Sequence, residues 1–117
     1  AVRYWLTKLK IDVKNLLVVT DDLNLKVGNF RMKKNGSDGG HNGLKDIQQT
    51  LSSNQYPRLR IGVGNNFPKG KQIDYVLGEW TKEEDLVLNQ KMKIINEMVL
   101  SFCFAGIENT MNAFNNK

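Results

Sequence analysis

Apolar positions recur along the chain with two different periods. Val2, Trp5, Leu6 and Leu9 fall at i, i+3, i+4 and i+7, which makes one helical stripe. After the polar break Lys14-Asn15, the run Leu16-Leu17-Val18-Val19 is continuous and rich in β-favouring residues, so it predicts a buried strand ending at Thr20-Asp21-Asp22. Residues 28–34 alternate apolar with basic or polar side chains, as a half-exposed strand does. Leu59, Ile61 and Val63 alternate with Arg60 and Gly62 in the same way. Between these two predicted strands, Asn35 to Gly40 is a glycine-dense loop, and Leu44, Ile47 and Leu51 return to helical spacing. Tyr56-Pro57 predicts a turn, residues 65–71 a loop, and Ile73 to Gly78 a short extended piece.

Thr81-Lys82-Glu83-Glu84 has the form of a capping box, the strongest helix start in the chain. Leu88, Met92, Ile95, Val99 and Phe102 then define a long amphipathic helix ending near Gly106. Ile107, Met111 and Phe114 continue as a short second helix. Strands alternating with helices predict an α/β layered fold. The first helix opens at Ala1-Val2 with no capping residue ahead of it, and the expectation is a chain that continues upstream. On that reading residues 1–117 are a single partial domain.

The 117 residues suffice for one domain, with 40% hydrophobic and 25% charged residues as in ordinary globular proteins. No apolar run approaches the ~20 residues that span a bilayer. The lone cysteine, Cys103, lies in Ser-Phe-Cys-Phe-Ala and is expected to be a buried, inert thiol, which fits a cytosolic setting. Charge is unevenly spread. Residues 1–71 carry 13 Lys or Arg against 5 Asp or Glu, and residues 72–117 carry 4 against 7, so +8 and −3 make up the net +5. A basic first part suits a face that meets a polyanion, and it equally suits a solvated lysine surface.

Three groups of residues could carry chemistry. Asp21 and Asp22 close a predicted buried strand, and ligands of α/β sheets bind at strand carboxyl ends. A carboxylate there can orient a histidine, or it can simply cap a turn. In Gly39-Gly40-His41-Asn42-Gly43, three glycines flank the only histidine of the chain. Such a stretch lets backbone approach a ligand closely. His41 could act as base or hydrogen-bond donor, while Asn42 could be no more than a helix cap. A metal role is disfavoured, because no second histidine or cysteine pair offers ligand spacing. Finally, alternation places Arg31 with Lys33, and Arg58 with Arg60, on one side of their strands. Two such pairs on neighbouring strands could grip a phosphate or remain solvated surface.

Thr20-Asp21-Asp22-Leu23, Gly36 through Lys45 with its Gly-Gly-His-Asn-Gly-Leu-Lys string, Tyr56 through Gly64, Tyr75-Val76-Leu77-Gly78 and Ala105 through Phe114 together resemble the bacterial peptidyl-tRNA hydrolases over essentially the whole chain. The resemblance implies a three-layer α/β/α fold with a twisted mixed sheet flanked by helices, incomplete here at its N-terminus. It implies hydrolysis of the ester linking a peptide to tRNA, in the cytoplasm, by a monomer that needs no metal or other cofactor. Asp21 would orient the general-base histidine, His41 and Asn42 would hold the substrate, and Lys33 with Arg60 would clamp the tRNA 5′-phosphate. The family's Arg-His-Asn motif, which carries that base, has no counterpart in these residues. The resemblance therefore places the base upstream and makes residues 1–117 inactive alone. The alternative is a non-catalytic tRNA- or RNA-binding module of the same fold.

Overall fold

The computed structural model describes residues 1–64 and 81–115. In chain order these form helix α1 (Val2–Lys8), a 3₁₀ turn (Val13–Asn15), strands β1 (Val18–Asp22) and β2 (Phe30–Lys33), helix α2 (Asn42–Leu51), strand β3 (Arg58–Gly62) and helix α3 (Lys82–Phe114). The expected extended piece 73–78 and loop 65–71 lie outside the described residues.

The strands make a mixed sheet of order β1-β3-β2, with β1 parallel and β2 antiparallel to β3. The α/β class expected from the alternation therefore holds. Directly opposed residues share a face. Met32 opposes Leu59, and both are fully buried against Ile95 and Met98 of α3. Each such side chain contributes about 1.5–3 kcal/mol of hydrophobic stabilisation. Arg31 opposes Arg60 and Lys33 opposes Arg58, so the other face of the same strands is cationic.

Several boundaries differ from the sequence expectation. β1 starts two residues later and runs through Asp22, because its ladder to β3 continues to the pair Asp22 and Gly62. The aspartates thus belong to the strand end instead of following it. In α3, Ile94, Ile95, Met98, Val99 and Phe102 meet the core while Met92 is exposed, so the buried stripe is rotated from the one predicted. Cys103 is exposed rather than buried, since it projects off that stripe. The predicted break at Gly106 is present as a kink with φ 86° and ψ 174°. Beyond it, Ile107, Met111 and Phe114 fold back onto the same core.

Two local features fix the sheet. Asn115 reaches β2 with both ends of its amide, accepting from Met32 N at 2.9 Å and donating to Met32 O at 2.7 Å. It satisfies the backbone groups a neighbouring strand would otherwise take. At the end of β3, a Cβ on Gly62 would stand 2.1 Å from the Lys26 carbonyl oxygen, so only glycine lets the turn after β1 cross the strand there.

Candidate active site and cationic face

The carboxyl end of β1 and the N-terminus of α2 meet at one imidazole. Asp38 turns the chain ahead of α2, its carboxylate accepting from Gly40 N at 2.8 Å and its carbonyl from His41 N at 2.9 Å. Gly39 and Gly40 take φ of 58° and 83°, backbone that glycine adopts without strain. This turn delivers His41, and not Asn42, as the helix cap, with Nδ1 accepting from Leu44 N at 3.2 Å. Nε2 therefore carries the ring hydrogen and donates to Asp21 Oδ1 at 2.8 Å. Thr20 Oγ1 lies 2.9 Å from the same nitrogen, and its own hydrogen points to the Asp21 carbonyl at 3.3 Å. Both nitrogens of His41 are engaged, one by the helix and one by the carboxylate. Asp21 and His41 remain about one-third exposed, so this pair faces solvent while anchored from behind.

The importance of Thr20 was not legible in the sequence. A threonine within a strand is commonplace, and only its burial and its 2.9 Å approach to His41 distinguish it.

The four cations of the second face divide into two kinds. Arg58 is fully buried, so it is neither the solvated surface nor the phosphate grip that alternation left open for it. Its guanidinium donates to Ser37 O at 3.2 Å, Asn54 O at 2.9 Å and Tyr56 O at 3.5 Å, and it stacks 4.1 Å from the centre of the Tyr56 ring. Burial lowers its pKa from the ordinary arginine value, opposed by Tyr56 and reinforced by Arg60. Arg58 is a structural pin for the loop that carries His41.

Arg60 is mostly buried as well. Nη2 donates to the same Ser37 carbonyl at 3.1 Å, and Nη1 to Asp22 Oδ2 at 3.3 Å. Lys33 and Arg31 are exposed on β2. Lys33 lies diagonally across from Arg60, since its direct partner is Arg58. Asn42, the first residue of α2, is exposed beside His41. Among the described residues no group of three or more His, Cys, Asp or Glu side chains could hold a metal ion, and no helix is long and apolar enough to cross a membrane.

This constellation sits in a chain whose relatives are well defined. A family model described as peptidyl-tRNA hydrolase matches residues 1–117, and the chain belongs to that family. It is 55% identical over 117 residues to a peptidyl-tRNA hydrolase of Parabacteroides distasonis, covering all of this chain and 63% of that protein. It is 56% identical over 115 residues to one of Azobacteroides pseudotrichonymphae, covering 98% of this chain and 62% of that protein. The crystal structure of peptidyl-tRNA hydrolase from Acinetobacter baumannii superposes with a TM-score of 0.85 at 28% identity, over 95% of this chain and 56% of that one. The chain thus spans somewhat under two-thirds of the length of these relatives.

Proposed function

We propose that these residues form part of an enzyme that hydrolyses the ester between a peptide and the 3′ end of its tRNA, acting in the cytoplasm. The observation that carries the reading is the Asp21–His41 contact, which joins a strand-end carboxylate to a helix N-terminus on a partly exposed surface. In this reading the exposed amide of Asn42 and the ring of His41 line the position of the reacting ester. Lys33 and Arg60 meet the tRNA 5′-phosphate.

His41 is a poor general base. Its Nδ1 lone pair is held by the Leu44 amide, and freeing it would uncap α2. The reading therefore assigns the base to a histidine outside these 117 residues, with Asp21 as the carboxylate that orients it. Residues 1–117 alone are then inactive, because general-base catalysis is worth ~10²–10⁴-fold.

The test is hydrolysis of an N-acetylated, labelled aminoacyl-tRNA by the full-length protein and by its Asp21→Asn variant. The reading expects a fall in kcat of at least about 100-fold with the affinity for tRNA retained. An Asp21→Asn variant within twofold of the parent would remove Asp21 from the chemistry. Absence of hydrolysis by the parent, with salt-sensitive tRNA binding kept, would favour a non-catalytic RNA-binding module.

A further inference from the structure

We propose that Asp22 is an internal competitor for phosphate at Arg60, and so sets how tightly the cationic face holds its nucleic acid. The inference rests on the reading of Lys33 and Arg60 as a phosphate site. It concerns a residue to which that reading gives no part.

Asp22 occupies an unusual position. Its backbone sits in β1 beside Gly62 of β3, while Arg60 lies two residues back along β3 on the same face. One carboxylate oxygen, Oδ1, accepts from Asn24 N at 2.8 Å and shapes the turn that follows the strand. The other, Oδ2, takes Nη1 of Arg60. The carboxylate side chain is only 10% exposed, and that of Arg60 only 17%. Such a pair is screened less by salt than a surface pair and cancels much of the arginine's field. A phosphate arriving at Arg60 meets a cation whose charge is already matched, and it meets a carboxylate of its own sign.

An ion pair of this kind could instead help binding by holding the guanidinium in place. The structure argues against that role for Asp22, because Arg60 is held by other groups. Nη2 is fixed on the Ser37 carbonyl. The backbone of the loop runs beside both ends of the guanidinium: a Cβ at Gly36 would lie 3.7 Å from Nη2, and one at Gly39 would lie 3.8 Å from Nη1. With position supplied by the loop, the remaining effect of Asp22 on an anion is electrostatic and repulsive. The consequence is moderate affinity, which suits a protein that must let go of one large polyanion to take the next.

The experiment compares the full-length protein with its Asp22→Asn and Asp22→Ser variants, titrated with one tRNA bearing either a 5′-monophosphate or a 5′-hydroxyl. Asparagine preserves an oxygen for the Asn24 amide and removes only the charge. Serine supplies a second neutral variant should asparagine disturb the turn, and far-UV spectra report folding of both. Both variants are expected to bind the 5′-phosphorylated tRNA about threefold to tenfold more tightly. The 5′-hydroxyl form should gain less, and the salt slope should steepen by up to about one. Folded variants that bind the phosphorylated tRNA equally or more weakly would overturn the proposal and make Asp22 a positioning residue. A parent protein that does not distinguish the two tRNAs, and is indifferent to Lys33→Ala, would overturn the phosphate reading itself and the competitor with it.

Discussion

Single side chains under the cationic face carry more of the stability than their charges suggest. Arg58 has no carboxylate partner among the described residues and instead ties three carbonyl oxygens, two of them in separate loops, while its plane rests on Tyr56. Replacing it with alanine strands those acceptors and empties a buried site, so Arg58→Ala should lose about 3 kcal/mol in denaturant unfolding. Arg58→Lys should recover little of it, because one ammonium cannot span Ser37 and Asn54 as the planar fork does. Tyr56 gives the opposite forecast. Its hydroxyl is buried and has no hydrogen-bond partner among the described residues. Tyr56→Phe keeps the ring under Arg58 and should change stability by less than about 1 kcal/mol, in either direction. Burial also raises the Tyr56 pKa above 10.0, with Arg58 and Arg60 opposing. The folded state then holds that proton more tightly than the unfolded chain does. Stability from this group is complete below the pKa of a free tyrosine and drains away as pH rises through the folded value. Chemical denaturation followed from pH 9 to 11 should show a decline beginning near about pH 10 that is shallower in Tyr56→Phe.

At the scale of elements, glycines decide where helices begin and bend. The first turn of α2 leaves no room at Gly43, where a Cβ would stand 2.9 Å from Cε1 and 3.2 Å from Nδ1 of His41. Gly43→Ala keeps helix propensity favourable yet displaces the imidazole from Asp21. On the proposed function, the expected outcome in the full-length protein is near-parental melting with a fall in hydrolysis of about tenfold, which steady-state kinetics would check. In α3 the bend at Gly106 needs backbone open only to glycine, and it is buttressed by Thr110, whose hydroxyl donates to the Gly106 carbonyl at 2.8 Å and lies 2.7 Å from the Ser101 hydroxyl. Gly106→Ala should therefore cost about 1–3 kcal/mol in equilibrium unfolding. These elements also show what the sequence could tell. The kink was legible, because Gly106 interrupts two apolar stripes, and the strand faces followed from period-two alternation in 28–34 and 59–63. The pairing of Asp21 with His41 was not legible. It depends on β1 running on through Asp22 and on a turn aiming residue 41 backwards, and neither leaves a periodic trace. Nor could alternation separate Arg58 from Arg60 and Lys33. It gives the face, while the depth of each cation is set by whether the 36–40 loop closes over it.

At the scale of the whole molecule, the described residues bring apolar side chains to the surface on one strand and on two helices. Val19 is half exposed on β1, a strand that pairs on one side only among the described residues. Tyr4, Trp5 and Leu9 of the α1 region and Leu86, Met92, Leu100 and Phe104 of α3 are exposed too, with Phe104 87% accessible. Scattered exposed hydrophobes are ordinary, but a strand edge with no partner among the described residues, beside an exposed valine, offers a template for another chain. The opposite edge carries no such invitation, since Asn115 occupies the backbone groups of Met32. Association of a polypeptide consisting of residues 1–117 should accordingly run through β1 and not through β2. The net charge of +5 opposes self-association at low ionic strength, and screening weakens that opposition. Light scattering across a dilution series should show oligomers whose proportion rises with both protein and salt concentration. Val19→Lys places a charge on the open strand and should return the polypeptide toward the monomer, whereas Lys34→Glu near the β2 edge should not. A monomeric, cooperatively melting polypeptide at high concentration in moderate salt would show that β1 is covered in solution and that these residues complete their own sheet.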